Sequence, residues 1–109
     1  MNCRSLLWRL ALLCSMAIGG SSLADAPESA RITVKNFAFS PVPLIVSVGA
    51  TVTWTNLDDE PHTAVSDSGA FRSGAMDTKE SFSFKFDRPG TYHFTCSIHP
   101  SMVGTVIVR

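Results

Sequence analysis

The sequence predicts an all-β domain, an antiparallel Greek-key sandwich or barrel of seven to eight short strands. Three observations carry that expectation. Several segments alternate apolar and polar residues with a period of two, turn residues recur at roughly 8–12-residue spacing, and no window holds a helical period.

The chain opens on a segment that does not belong to this domain. "MNCRSLLWRL ALLCSMAIGG SSLADA" places Arg4 and Arg9 before an apolar run and ends small and polar, with Ala24-Asp25-Ala26 as the processing site. That order is the order of a secretory signal peptide, cut after Ala26 or Ala24. The run is too short to span a bilayer, which takes about 20 apolar residues. Leu13, just before Cys14, is too large for a lipoprotein anchor site. Residues 1–26 are therefore expected to be removed, leaving a single domain over 27–109 in an oxidising compartment, the periplasm.

Within 27–109 the elements follow in order. "RITVK" sets Ile32 and Val34 against Arg31, Thr33 and Lys35, and "TVTWTN" sets Val52 and Trp54 against Thr51, Thr53 and Thr55. "SFSFKF" aligns Phe82, Phe84 and Phe86, and "TYHFTC" aligns Tyr92, Phe94 and Cys96, with His93 and Thr95 on the other face. "VGTVIVR" closes the chain as the last strand. Pro41 and Pro43, Gly49, and Pro89-Gly90 punctuate these runs. One turn of helix is expected around Ser73 to Asp77. The aromatic core is expected to draw on Phe37, Phe39, Trp54, Phe82, Phe84, Phe86, Tyr92 and Phe94, large rings that suit a small domain.

Charge excludes some functions. Seven basic and eight acidic residues remain after position 26, a net charge of −1, with no basic stripe for nucleic acid. Cysteine says more. Cys3 and Cys14 leave with the leader, so Cys96 has no partner for a disulfide within the domain. A lone thiol in an exported protein is either buried or occupied.

"TCSIHPSM" gives the occupied reading its content. Cys96, His99 and Met102 stand at intervals of three in a loop that reverses the chain, where Pro100 limits freedom. Residues so spaced can face one centre. His62, in the loop "DDEPHTAV", supplies a fourth donor. Two imidazoles, one thiolate and one thioether form the donor set of an electron-transfer copper site. Zinc would want four stronger ligands, and calcium or magnesium would want oxygens. A catalytic thiol would want an orienting acid near the loop, which "TCSIHPSM" lacks; a purely structural cluster is the other alternative.

The chain resembles the cupredoxins, the type I (blue) copper proteins, and within them the amicyanin–plastocyanin group. The resemblance rests on "ITVKNFAFSP", "LIVSVGATVTWTN", "EPHT" and "GTYHFTCSIHPSMVGTVIV". It implies His62, Cys96 and His99 as the trigonal ligands of one copper ion and Met102 as the weak axial ligand. It also implies that the edge of His99 is the electron port, in an apolar rim for which Pro61, Ile98 and Pro100 are candidates. In such proteins Asn usually follows the first histidine and ties the ligand loops together; here Thr63 stands there.

The expected function is a monomeric periplasmic electron carrier, not an enzyme, serving a redox donor and acceptor such as a dehydrogenase, cytochrome or oxidase. A copper-delivery protein is the alternative. His93 and Met76 are expected at the surface or a loop rim, Met76 with the option of covering one side of the copper. Asp58, Asp59 and Glu60 are expected in a solvated loop that could double as a docking patch.

Overall fold

The computed structural model describes residues 28–109; the expected leader lies outside the described residues. Eight strands form: β1 (Ser29–Lys35), β2 (Ala38–Ser40), β3 (Leu44–Val46), β4 (Thr51–Asn56), β5 (Val65–Ser66), β6 (Ser81–Lys85), β7 (Gly90–Thr95) and β8 (Val103–Val108). They make two four-stranded sheets, ordered β2-β1-β4-β6 and β3-β8-β7-β5, and the chain passes between sheets at every connection from β2 to β7. The predicted sandwich is therefore present, with one refinement. β1 pairs with β4 in parallel, and so does β3 with β8, while the other pairs are antiparallel.

Alternation explains which residues fill the space between the sheets. Ile32, Val34, Phe39, Val52 and Trp54 point inward from one sheet, and Val46, Phe94, Val106 and Val108 from the other. The opposite faces are polar and also paired. Thr53 bonds Ser83 (2.6 Å) and Thr55 bonds Ser81 (2.8 Å) across β4 and β6. Gly104 is needed where it stands: a Cβ there would lie 2.5 Å from the Phe94 ring opposite it on β7.

Two expectations change. No helical turn forms at 73–77; Met76 instead pairs with His62 in an isolated bridge, which draws that segment into extended backbone. Phe37 is not in the core. Lys35 faces Ala38, so Asn36 and Phe37 are the two tip residues of the β1–β2 hairpin, and Phe37 is 48% exposed. Its place in the aromatic core goes to Phe71, buried beside Trp54, Phe84 and Phe86.

Candidate metal centre

The β7–β8 ladder ends at Thr95 and Val103, so the intervening residues form a hairpin tip. Cys96 continues the inward row of Tyr92 and Phe94 and is fully buried. Its backbone N–H donates to the Met102 carbonyl (3.0 Å), and the Met102 N–H donates to that of His99 (2.9 Å). These two bonds turn the tip back on itself. Met102 is buried at its far end, His99 is half-buried, and Ile98 and Pro100 are exposed.

His62 arrives from the connection between β4 and β5. Its backbone exchanges two hydrogen bonds with Met76, at 3.2 and 2.8 Å, which fixes the loop from the other side. Asn56 reinforces it by donating from Nδ2 to the carbonyls of Glu60 and Met76, both at 2.8 Å. The imidazole is completely buried, and its Nε2 lies 2.8 Å from an Asp58 carboxylate oxygen. An ionised carboxylate only accepts, so Nε2 carries the proton and Nδ1 keeps its lone pair. A histidine oriented in this way by a carboxylate is the usual arrangement at protein metal sites.

Nδ1 faces the thiol. Cys96 Sγ lies 3.9 Å from Nδ1 of His62 and 3.7 Å from Nδ1 of His99, and the three ligand atoms lie within 4.8 Å of one another. These separations are long for hydrogen bonds. They match a shared metal: bonds of about 2.0 Å to nitrogen and about 2.3 Å to sulfur, meeting at about 120°, separate the donors by about 3.7 Å. Among the described residues this is the one cluster of three such donors.

Electrostatics favour the thiolate that a soft metal needs. Burial pushes the Cys96 thiol up, yet the Thr63 N–H (3.4 Å from Sγ) and the His99 N–H favour the thiolate and draw the pKa below the ordinary thiol value. Thr63 also joins the two loops. Its Oγ1 accepts the Ser97 N–H (2.7 Å), pairs with the Ser97 hydroxyl (2.9 Å) and lies 3.8 Å from Sγ. A hydroxyl pair thus provides the cross-loop bond expected of an asparagine.

Of the residues named from sequence, His62, Cys96 and His99 converge, and Met102 closes the same buried tip through its backbone. Asp58 departs from expectation. It is not solvated; burial works against its charge, but the N–H groups of Phe37 (2.8 Å) and Asn36 (2.7 Å), with His62, hold its pKa below the ordinary carboxylate value. Met76 is buried as well, not on a rim, because its backbone is committed to His62. His93 lies at the surface as expected, with Nδ1 3.0 Å from the Thr105 hydroxyl. Phe37 was the residue missed at the site: its ring stands edge-on to both His62 and His99, at 5.1 Å in each case. The signal for it was Asn36, a residue that favours a hairpin tip and so ends the alternation.

The family model for a cupredoxin-like domain matches residues 6–108. The chain belongs to the cupredoxin-like family. Amicyanin-alpha of Methylorubrum extorquens is 30% identical over 94 residues, covering 81% of this chain and 79% of that protein. The chloroplastic plastocyanin of Tetradesmus obliquus is 32% identical, covering 94% and 83%. Among solved structures, amicyanin from Paracoccus versutus superimposes with a TM-score of 0.70 at 27% identity, over 79% of this chain and 87% of that one. A purple cupredoxin from Nitrosopumilus maritimus gives 0.68 at 35% identity, over 73% and 99%.

Proposed function

We propose that this cupredoxin is an exported single-electron carrier with one type I copper, held by His62, Cys96, His99 and Met102. The observation that carries the reading is the spacing of the donors: one buried thiolate sulfur and two imidazole nitrogens, one buried and one half-buried, already stand at the separations a shared metal requires. Solved amicyanins that superimpose on the chain include Cu(I) forms, which supports copper as the ion.

When bound, copper supplies a one-electron couple between Cu(I) and Cu(II). The protein's part is to keep the donors still. Asp58 holds the His62 ring, the Thr63 N–H stabilises the Cys96 thiolate, and the tip hydrogen bonds keep Met102 beside Cys96. Such restraint limits rearrangement between oxidation states. Met102 would add a weak thioether donor. His99, half-buried between exposed Ile98 and Pro100, offers the route for the electron to the surface.

Export to the periplasm, with residues 1–26 removed and 27–109 as the working domain, follows from the leader sequence. The periplasm is an oxidising compartment, and a metal-held Cys96 is protected there. No helix of the described residues is long and apolar enough to cross a membrane. The partners are redox proteins that donate and accept one electron, and no enzymatic turnover is assigned to the site.

The test is spectroscopic. The secreted protein loaded with Cu(II) should show an intense visible thiolate-to-copper band, and Cys96→Ser should abolish it. A delivery protein that hands over the ion itself would bind copper without that band. A colourless wild-type complex ends the electron-carrier reading.

A further inference from the structure

Each sheet ends in two edge strands, and three of these four edges are blunted. β2 and β3 hold three residues each, and Pro41 and Pro43 interrupt the chain between them. β5 holds two residues, and its outer side is covered by the 72–76 segment, which bridges to Val65 and His62. β6 is different. It offers five residues, Ser81–Lys85, paired with β4 on one side and with no strand on the other among the described residues.

The ladder with β4 fixes which backbone groups of β6 are free. The Asn56 N–H donates to the Glu80 carbonyl and the Phe86 N–H to that of Ala50, so the even-numbered residues bond towards β4. Ser81, Ser83 and Lys85 therefore turn their N–H and C=O groups outward, where no backbone partner meets them among the described residues. Their side chains lie on the outer face of the sheet, where Ser81 and Ser83 bond Thr55 and Thr53. Phe82 and Phe84 lie on the inner face and are only half-buried, beside a cleft of about 230 Å³ walled by Phe84, Tyr92 and Ala70. An open edge with half-buried rings is a template for another strand.

We infer that the β6 edge pairs with the same edge of a second copy of this chain, antiparallel about a two-fold axis at Ser83. The free groups select that register. Ser83 meets the partner's Ser83 and Ser81 meets the partner's Lys85, which joins every outward N–H and C=O in about six hydrogen bonds. On the inner face Phe82 stands opposite the partner's Phe84, an aromatic cross-strand pair made twice. No like charges face each other. The two Lys85 side chains lie about 13 Å apart along the ladder, beyond the screening length at physiological salt. The centre of the edge is uncharged, so it suits its own copy and offers nothing to select a charged peptide.

β6 begins at the metal end, where Ser81 lies opposite Thr55 and next to Asn56, the residue that bonds the His62 loop. Antiparallel pairing therefore sends the two metal ends in opposite directions and leaves both uncovered. A strand edge buries less than the roughly 1,200 Å² of stable complexes, so the dimer stands in equilibrium with the monomer expected from sequence. The pairing does not depend on which ion the site holds.

Sedimentation equilibrium of the secreted protein from about 10 µM to about 2 mM should show a monomer–dimer equilibrium with a Kd on the order of 100 µM. Amide resonances of Ser81, Ser83 and Lys85 should move with concentration, while that of Ile45 on the β3 edge stays fixed. Ser83→Lys sets two ammonium groups face to face at the axis and should weaken the dimer by about tenfold or more, and Ser83→Glu should do the same. Mixed in equal amounts, the two variants should associate at least as tightly as wild type, because lysine then faces glutamate.

A wild-type protein that stays monomeric at about 2 mM overturns the inference. So does a dimer that Ser83→Lys leaves intact, since its interface then lies elsewhere, and so does an equal mixture of the two variants that remains monomeric. The wild-type amide shifts decide the point without any substitution: movement confined to another surface overturns it too.

Discussion

The two loops that meet at the metal centre are held by different means. The tip between β7 and β8 is held mostly by itself. It is short, it contains three of the four donors, and backbone bonds from Cys96 to Met102 and from Met102 to His99 close it. The loop between β4 and β5 contributes only His62, yet it draws on Asn56, Asp58, Met76 and the Asn36–Phe37 turn, residues spread across the sequence. A loop that presents one ligand needs outside fixtures; a loop that presents three is constrained by its own closure. Changes in the fixtures of the first loop should therefore disturb the site more than changes at the edge of the second.

Asp58→Ala is the strongest way to test that difference. It strips the acceptor from the Asn36 and Phe37 N–H groups and from His62 Nε2 at once. Leaving such groups unpaired should cost on the order of 3 kcal/mol, read by denaturant unfolding of the copper-free protein. Copper affinity should drop by about 10- to 100-fold. Hydrogen exchange should quicken at the amides of residues 36 and 37 while the amides of Cys96 and Met102 keep their protection. Equal loss of protection in both loops would show that they form one unit and that the contrast is false.

Thr63→Val probes the seam between them. The Ser97 N–H loses its acceptor, at a cost of about 1–3 kcal/mol for a donor that is not fully buried. The Thr63 N–H to Cys96 Sγ is a backbone bond and survives. The visible band should persist with a modest shift, and Thr63→Ser should restore both stability and spectrum. Failure of Ser to rescue would mean that the methyl group of Thr63, not its hydroxyl, braces the loops.

The same contrast governs what could be read from the sequence. "TCSIHPSM" was legible because its donors are local and its strand is alternating, so Cys96 fell on the inward row without knowledge of the fold. His62 was found only through the company it keeps. Asp58 was read as solvated because three consecutive acids usually are; its two amide partners lie more than twenty residues away and come near only when β1 pairs in parallel with β4. Phe37 failed for a related reason. Period-two counting runs "NFAF" straight through, whereas two left-handed residues turn the chain and carry the ring out over the imidazoles. Pattern reading captures elements whose partners are near in sequence, and it loses those whose position depends on sheet pairing.

Met102→Leu should have the smallest effect on binding and is informative for that reason. Met102 stands at the end of the self-held tip, and its backbone bonds to Cys96 and His99 do not depend on its side chain. Leucine is close in volume and keeps the buried position filled, so unfolding of the copper-free protein should change by less than about 1.5 kcal/mol. The thioether is a weak donor that favours the oxidised ion more than the reduced one, so its loss should raise the reduction potential while copper and its thiolate band remain. Voltammetry of the two proteins decides the point. Complete loss of copper on this substitution would make the thioether a principal ligand, and the tip would then depend on the metal for its shape instead of presenting three donors already in place.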